Sequence, residues 1–233
     1  MQIATVSDIH GHWNEIIYPP ADVLIFAGDI LKNHLRDRTA DAHAQLTELA
    51  RFSLHCETLL NGTYKHIVFC PGNHDWCFDK LPKEAIEKLG PKVIYLHDRG
   101  AIIDGVKFYG SGWTPWFWDW ALNHPNPGKD PAAARRSAQL CWAAVPDDTN
   151  VLVTHGPPQG ILDLTKENEH VGCPHLKDAV VRLLKNDLKL HVFGHIHHSY
   201  GKTMVQKTLF VNTSICTERY TPDNPVPIIT IHV

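Results

Sequence analysis

The clearest regularity along the chain is a short apolar run that stops abruptly at glycine, proline or polar residues. Runs of this kind, rich in Val, Ile, Leu and Phe, predict buried β-strands, and the abrupt stop predicts a loop at the carboxyl end of each strand. The pattern occurs five times, at residues 3–6, 23–27, 67–70, 151–153 and 190–193.

The segments between and after these runs predict helices and a second set of strands. Apolar residues at near-helical spacing, with proline in a first turn or glycine after a last turn, predict helices at 37–60, 81–89, 131–144 and 173–185. Asp104-Gly105 between two apolar segments predicts a hairpin of strands 101–103 and 106–109. Further strands are predicted at 202–206, 208–212 and 227–233, and we expect them to complete a second sheet. Strands alternating with helices place the chain in the α/β class.

Residue types that bind metals follow each of the five apolar runs. In the triplets Asp8-Ile9-His10 and His195-Ile196-His197, alternation along an extended backbone puts the first and third side chains on one side. Because open α/β sheets keep their chemistry at the carboxyl ends of strands, we expect these side chains to meet. The candidate ligands are Asp8, His10, Asp29, Asn73, His155, His195 and His197.

This ligand set predicts the type and number of the metal ions. Two carboxylates, one carboxamide and four imidazoles suit Mn²⁺, Fe²⁺, Co²⁺ or Zn²⁺ better than Ca²⁺ or Mg²⁺, which prefer oxygen. Seven such ligands are too many for one ion, but two ions about 3.5–4 Å apart can share them if one carboxylate bridges.

Composition narrows the class of protein. The chain has 233 residues, 43% of them apolar, and nothing resembling a linker, so we predict a single domain over residues 1–233. A net charge of −3 without a basic run does not favour a long nucleic acid as partner.

Six cysteines without a C-x-x-C pair, and a start directly in a strand, predict a reduced, cytoplasmic protein. No apolar run approaches the roughly 18 residues of a membrane helix. A zinc-ribbon or redox role for Cys70 and Cys77 is an alternative that fits neither their spacing nor their partners.

The segment 110–124, GSGWTPWFWDWALNH, is unusual because it holds four of the seven tryptophans. One interpretation is a loop that packs its own aromatics into a small satellite core. The other is a wall near the metal site, where Trp113 and Trp116 stack on a nucleobase. Both interpretations stay open at this point.

The ordered pattern D-x-H, G-D, G-N-H-D, H-G, G-H-x-H resembles the calcineurin-like metallophosphoesterase superfamily. The longer strings GSGWTPWFWDW, THGPP, HVFGHIH and VNTSICT are similar to its metallophosphoesterase-domain-containing branch. The resemblance implies a four-layer α/β/β/α sandwich of two mixed sheets flanked by helices. The loop 30–34 lacks the arginine of the phosphoprotein phosphatases, so that subgroup is disfavoured.

The same resemblance implies a role for each site residue. One metal is expected on Asp8, His10, Asp29 and His197, and the other on Asp29, Asn73, His155 and His195, with Asp29 as the bridge. His74 and its acidic neighbour Asp75 are expected to be the catalytic residues. The residues expected to contact substrate are Asn73, His74, Trp113, Trp116 and His198.

The expected reaction follows from charge. Two divalent ions against Asp8, Asp29 and a bridging hydroxide leave about one positive charge, which matches a phosphodiester monoanion. Metal-bound water, acidified toward pKa ~7, would attack phosphorus as hydroxide, and His74 would protonate the leaving oxygen. The preferred interpretation is therefore a phosphodiesterase acting on small phosphodiesters or nucleotides, including 2′,3′-cyclic ones, with Mn²⁺ as a suitable metal.

Three alternatives remain at this point. A phosphomonoesterase or a dinucleoside-polyphosphate hydrolase would prefer extra cations near the site, for which Lys32, Arg36, Lys166 and Arg219 are possible sources. The third alternative is a scaffold that binds metals without catalysis.

Overall fold

The computed structural model describes residues 1–232, in which eleven strands form two sheets. The first sheet has the order β11-β1-β2-β3-β4, with strands β1 (Gln2–Val6), β2 (Val23–Ala27), β3 (His66–Cys70), β4 (Val93–Tyr95) and β11 (Ile228–Thr230). The second has the order β5-β6-β7-β8-β10-β9, with strands β5 (Arg99–Ile103), β6 (Val106–Ser111), β7 (Val151–Thr154), β8 (Leu190–Phe193), β9 (Gly201–Val205) and β10 (Thr208–Asn212). The helices are α1 (Arg38–Leu60), α2 (Trp76–Lys80), α3 (Pro82–Leu89), α4 (Pro131–Ala143) and α5 (Pro174–Leu183).

The central strand β2 shows why the apolar runs are continuous. Val23 and Ile25 pack in the core between the two sheets, whereas Leu24 and Phe26 pack in the core on the helical side. Strand β2 pairs in parallel with β1 and β3, and α1 carries the chain from β2 to β3. A parallel strand covered on both faces buries both sets of side chains, so alternation disappears from its sequence.

Three apolar cores separate four layers. The first core joins the first sheet to α1, α2 and α3, with Phe52 of α1 fully buried in it. The second lies between the sheets. The third joins the second sheet to α4 and α5, where Trp142 and Val180 are buried. The fold is thus the α/β/β/α sandwich with two mixed sheets that the resemblance implied, and that prediction is confirmed.

The two sheets are joined at one edge. The backbone of Ser7, just after β1, donates to the carbonyl of Thr213 (3.0 Å), and the Ser7 carbonyl accepts from Ile215 N–H (2.9 Å). These bonds hold the segment after β10 against the end of β1. Loops from the carboxyl ends of both sheets therefore converge on one place.

The prediction that the last strand completes the second sheet is wrong. Strand β11 pairs antiparallel with β1 in the first sheet, with Ile229 opposite Ile3. Both residues lie in the core between the sheets, so the apolar pattern reports burial but not the partner strand. Val233, the end of the predicted strand, lies outside the described residues.

The other predicted elements match the structure to within a few residues, including the hairpin at Asp104-Gly105, where both residues have positive φ. The short elements α2 and β4 were not predicted.

None of the six cysteines forms a disulfide within the described residues. No helix of residues 1–232 combines the length and the apolarity that crossing a membrane requires.

Candidate metal centre

The predicted ligands from five loops come together at the joined edge. Three groups of side chains each place their ligand atoms within 4.8 Å of one another. The groups are Asp8, His10 and His197; His10, Asp29 and His74; and Asp29, His155 and His195. His10 and Asp29 each occur in two groups, so the three form one continuous cluster. Asn73 joins it through Oδ1, which lies 2.8 Å from His155 Nε2.

Four of these residues sit in the left-handed region of backbone space. The φ angles are 52° for Asp8, 42° for His10, 55° for Asp29 and 70° for His195. Each such residue costs roughly 1–2 kcal/mol, although Asp and His tolerate the region better than most. Strained backbone of this kind clusters at functional sites. Here each of the four strained residues lies in the loop that turns the chain after a strand.

Asp8 is held by hydrogen bonds on one carboxylate oxygen only. Its Oδ2 accepts from the hydroxyls of Ser7 (2.5 Å) and Ser214 (2.8 Å) and from the backbone of His195 (2.9 Å). Its Oδ1 accepts no hydrogen bond from the described residues and lies 3.3 Å from His197 Nε2. A fully buried carboxylate oxygen without a donor is costly, and a cation at that position would satisfy it.

Asp29 lies at the centre of the cluster. Its Oδ1 accepts from the backbone of His74 (2.7 Å), and its Oδ2 lies 3.3 Å from His155 Nε2. Burial favours the neutral acid, but the rings of His155 and His74 hold the pKa of Asp29 well below its usual range. The carboxylate is therefore ionised and faces nitrogen atoms from two directions.

Two of the histidines, His155 and His197, present one ring nitrogen to the cluster and fix the other outside it. His155 Nδ1 donates to the carbonyl of Ala27 (3.0 Å), and His197 Nδ1 donates to that of Thr217 (3.0 Å). Their Nε2 atoms therefore face inward, and His197 Nε2 lies 3.4 Å from His10 Nε2. Backbone carbonyls orient metal-binding histidines in this way.

The charge balance of the cluster also fits divalent cations. Burial opposes protonation of His155, yet the carboxylate of Asp29 raises its pKa to about 9. Burial lowers the pKa of His10 and of His195 to about 3, so these two rings are neutral and have lone pairs available. The two buried carboxylates attract positive charge, which metal ions can supply in place of a proton on His155. The donor set fits the predicted metals.

His74 belongs to the second of these groups, although the resemblance gave it no metal, and its Nδ1 is hydrogen-bonded to Asn33 Oδ1. The Asn33 amide is oriented because its Nδ2 donates to Asp41 Oδ2 (3.1 Å) and to the carbonyl of His74 (3.3 Å), both of which can only accept. Asn33 Oδ1 must then accept from His74 Nδ1–H, and Nε2 is left facing the cluster, 3.9 Å from Asp29 Oδ2. The ring also stacks on Trp120, with centroids 4.3 Å apart. Burial lowers the pKa of His74.

Asp75 contacts backbone instead of the cluster. Its two oxygens accept from the backbone N–H groups of Asp29 (2.9 Å), Ile30 (3.1 Å), Leu31 (3.0 Å) and Gly72 (2.8 Å). Burial and the nearby charge of Asp29 raise the pKa of Asp75 to about 7. Asp75 thus ties the loop after β2 to the loop after β3.

Three residues predicted to contact substrate, Trp113, Trp116 and His198, belong to none of the three groups of possible ligands. Trp113 stacks against His124, with centroids 5.6 Å apart, and its Nε1 donates to Asp98 (2.8 Å). Trp116 Nε1 donates to Asp119 of the same loop (2.7 Å). His198 is exposed in a single 3₁₀ turn. In the tryptophan-rich segment Trp113 thus packs among neighbouring side chains, as the first interpretation expects, and Trp120 stacks on His74. Stacking of this segment on a nucleobase stays a prediction.

A cavity of about 350 Å³ opens on the cluster and contains residues that the sequence did not single out. It is lined by His10, His12, Lys32, Asn33, His74 and Tyr220. The ring of Tyr220 lies 4.7 Å from that of His10 and 5.4 Å from that of His197. Of the four possible cation sources named above, Lys32 lines this cavity and the other three do not.

Gly194 allows the loops after β1 and β8 to approach, and its replacement tests this packing. A methyl group there would overlap the Ser7 hydroxyl and the Asp8 carboxylate, both fully buried. We expect Gly194→Ala to lower the free energy of unfolding by about 3 kcal/mol, because an overpacked site without room must shift its neighbours. Urea unfolding in the presence of a chelator measures this without a contribution from bound metal.

Gly62→Ala is the matched control for Gly194→Ala. Neither glycine has a positive φ, and the nearest atom to a methyl group on Gly62 is a carbonyl oxygen 4.0 Å away. Equal stability of the two variants would contradict the close approach of Gly194 to Asp8.

Comparison with known proteins agrees with this geometry. A family model described as calcineurin-like phosphoesterase matches residues 1–199. The chain belongs to the calcineurin-like phosphoesterase family. Membership supports metal-dependent hydrolysis of phosphate esters, and the Asp and His cluster described above lies within the matched residues.

Relatives within the calcineurin-like phosphoesterases extend the match over most of the chain. Metallophosphoesterase domain-containing protein 1 of Homo sapiens is 35% identical over 248 residues, which cover 96% of this chain and 68% of that protein. The Mus musculus protein of the same name gives the same values. A solved structure described as a putative 5′-nucleotidase from Staphylococcus aureus aligns with 91% of this chain at a TM-score of 0.50 and 14% identity. This chain spans about half of that structure, 48% of its length, and the likeness supports the fold alone.

Proposed function

We propose that the chain is a phosphodiesterase that holds two divalent metal ions. The first ion is assigned to Asp8, His10, Asp29 and His197, and the second to Asp29, Asn73, His155 and His195. The observation that carries the proposal is the position of Asp29, whose ligand atoms take part both in a group with His10 and in a group with His155 and His195. One carboxylate between two sets of ligands is the arrangement that a bridged pair requires.

The bound ions would activate water and stabilise negative charge on the phosphoryl oxygens. The chain's own residues then do the remaining work. His74 Nε2 faces the cluster, and because Nδ1–H is bound to Asn33, the ring can donate a proton from Nε2 only in its doubly protonated form. In that form it is the group suited to protonate the departing ester oxygen and return to the neutral ring, a contribution of about 10²–10⁴-fold. Asn33 and Trp120 hold the ring in that orientation through the hydrogen bond to Nδ1 and the stacking contact.

For Asp75 we propose a positioning role instead of direct catalysis. Its carboxylate is fully occupied by four backbone N–H groups of the loops that carry Asp29 and His74. It acts on the reaction through the placement of those two side chains.

For the substrate we propose small phosphodiesters, with cyclic nucleotides preferred. Two divalent ions with two carboxylates and a hydroxide leave about one positive charge, which suits a diester monoanion. A cavity of about 350 Å³ is within the range of small-molecule pockets and too small to enclose a polymer. The ring of Tyr220 at its wall offers a face for a base or sugar.

A substrate panel tests this proposal. The protein with Mn²⁺ is assayed on bis-p-nitrophenyl phosphate, p-nitrophenyl phosphate, 2′,3′- and 3′,5′-cyclic nucleotides and a dinucleoside polyphosphate. We expect kcat/KM for at least one diester to exceed that for the monoester by about tenfold or more, and chelation to abolish the activity. A preference for the monoester would identify the protein as a phosphomonoesterase, and a preference for the polyphosphate would identify it as a dinucleoside-polyphosphate hydrolase. Protein with two bound ions and no turnover of any substrate would support the scaffold interpretation.

A further inference from the structure

The cavity beside the cluster has a cation that the proposed reaction does not use. Among its six lining residues are Lys32 and three histidines, His10, His12 and His74, but no carboxylate. His12 already pairs through Nδ1 with Glu15 (2.8 Å). Within residues 1–232, Lys32 has no carboxylate oxygen within 4.0 Å of its ammonium.

Lys32 is an exposed residue whose aliphatic stem packs against Gly11. A methyl group on Gly11 would lie 2.6 Å from Lys32 Cε and 2.7 Å from Cγ, so the aliphatic stem lies directly against this glycine. The nearby acid, Glu48, places Oε1 against the same glycine, 2.8 Å from that methyl position, and its Oε2 accepts from His34 Nε2 (2.7 Å) and from the Lys32 backbone (3.3 Å). Glu48 thus fastens the loop that carries Lys32 without forming an ion pair with the ammonium.

Charge then selects the kind of molecule that fits. The metal centre, as proposed, matches the single negative charge of a diester, and Lys32 adds an ammonium group that faces no carboxylate across the cavity and forms no ion pair with Glu48. From this we infer that the preferred substrate carries a second anionic group, a phosphate that is not attacked, and that Lys32 binds it. The inference rests on the proposed function and adds a substrate class to it, small phosphodiesters that also bear a phosphomonoester group.

A pair of substrates that differ only in that phosphate tests the inference. Adenosine 2′,3′-cyclic phosphate is compared with the same compound phosphorylated at the 5′ position. We expect the wild-type protein to favour the 5′-phosphorylated compound by about 10- to 100-fold in kcat/KM, as for one charge-assisted hydrogen bond. In Lys32→Met the ratio should fall to about one, and in Lys32→Arg most of it should remain.

Lys83→Met is the control, since Lys83 is an exposed lysine of α3 that does not line the cavity, and it should keep the wild-type ratio. A wild-type ratio near one, or an unchanged ratio in Lys32→Met, would overturn the inference.

Calorimetric titration with the two product nucleotides, adenosine 3′-phosphate and adenosine 3′,5′-bisphosphate, separates this failure from failure of the proposed function. Absence of diester hydrolysis refutes the function, whereas equal affinities for the two products, or an affinity ratio unaffected by Lys32→Met, refute the role of Lys32.

Discussion

Asp29→Asn is expected to remove metal from the site and to abolish most of the activity. The carboxylate is ionised, buried and placed 3.3 Å from His155 Nε2, and asparagine would replace its charge by a neutral amide. Changes to residues that only surround a metal ligand reduce affinity or activity by 10–100-fold, so loss of the shared ligand should cost more than about 100-fold in kcat/KM. Elemental analysis of dialysed protein and assays with bis-p-nitrophenyl phosphate measure both effects.

The control for Asp29→Asn is Asp163→Asn. Asp163 is also a fully buried carboxylate, but it accepts from the backbone of Gly160 (2.9 Å) and Gly172 (3.0 Å) and belongs to none of the three groups of possible ligands. The Asp163→Asn protein should keep its full metal content even if its free energy of unfolding falls. Two ions per chain in Asp29→Asn would rule out the bridge and with it the proposed assignment of ligands.

The candidate ligands could be named from the sequence because their signal is local. Each lies within four residues of the end of a buried apolar run, as Asp29 lies two residues after Ala27 and His155 two residues after Val153. Parallel strands then bring the loops to a common edge without further information. The fold class followed from the same runs together with the family resemblance.

The residues around His74 were not predictable in this way. Asn33 meets His74 from 41 positions away, and its own orientation depends on Asp41 in α1. Trp120 reaches the same ring because the backbone of Ala121 donates to the carbonyl of Asn73 (3.2 Å), which fastens the tryptophan-rich loop beside the site. Such contacts join distant segments and leave no periodic trace in the sequence. Composition alone does not tell which tryptophan of that loop reaches the site, so the prediction named Trp113 and Trp116 and missed Trp120.

The sheet assignment of the last strand failed for a related reason. Alternation in 227–231 predicts a strand with one buried face, and Ile229 and Ile231 do lie in the core between the sheets. That core is shared, so a strand on either sheet would bury the same residues. The backbone bonds to β1 decide between them, since the Met1 carbonyl accepts from Ile231 N–H (3.0 Å).

His74→Ala is expected to keep both metal ions and to lose turnover in proportion to how poor the leaving group is. His74 is bound to Asn33 on one side and faces the cluster on the other, a geometry that serves proton transfer to a departing oxygen. General acid catalysis of this kind contributes about 10²–10⁴-fold, and p-nitrophenolate leaves without a proton whereas an alkoxide does not. We therefore expect a loss within that range for an alkyl diester or a cyclic nucleotide and a loss of less than about tenfold for bis-p-nitrophenyl phosphate.

A series of diesters with leaving groups of increasing basicity distinguishes this role from a structural one. The dependence of log kcat on leaving-group pKa should become steeper in His74→Ala, while His43→Ala should keep the wild-type slope, because His43 is an exposed residue of α1 bonded only to the carbonyl of Thr39 (2.8 Å). An equal loss for all leaving groups would indicate that His74 only supports the metal centre. Unchanged rates on the most basic leaving groups would remove the proton-transfer role, and the source of the proton would then be sought in the bound water.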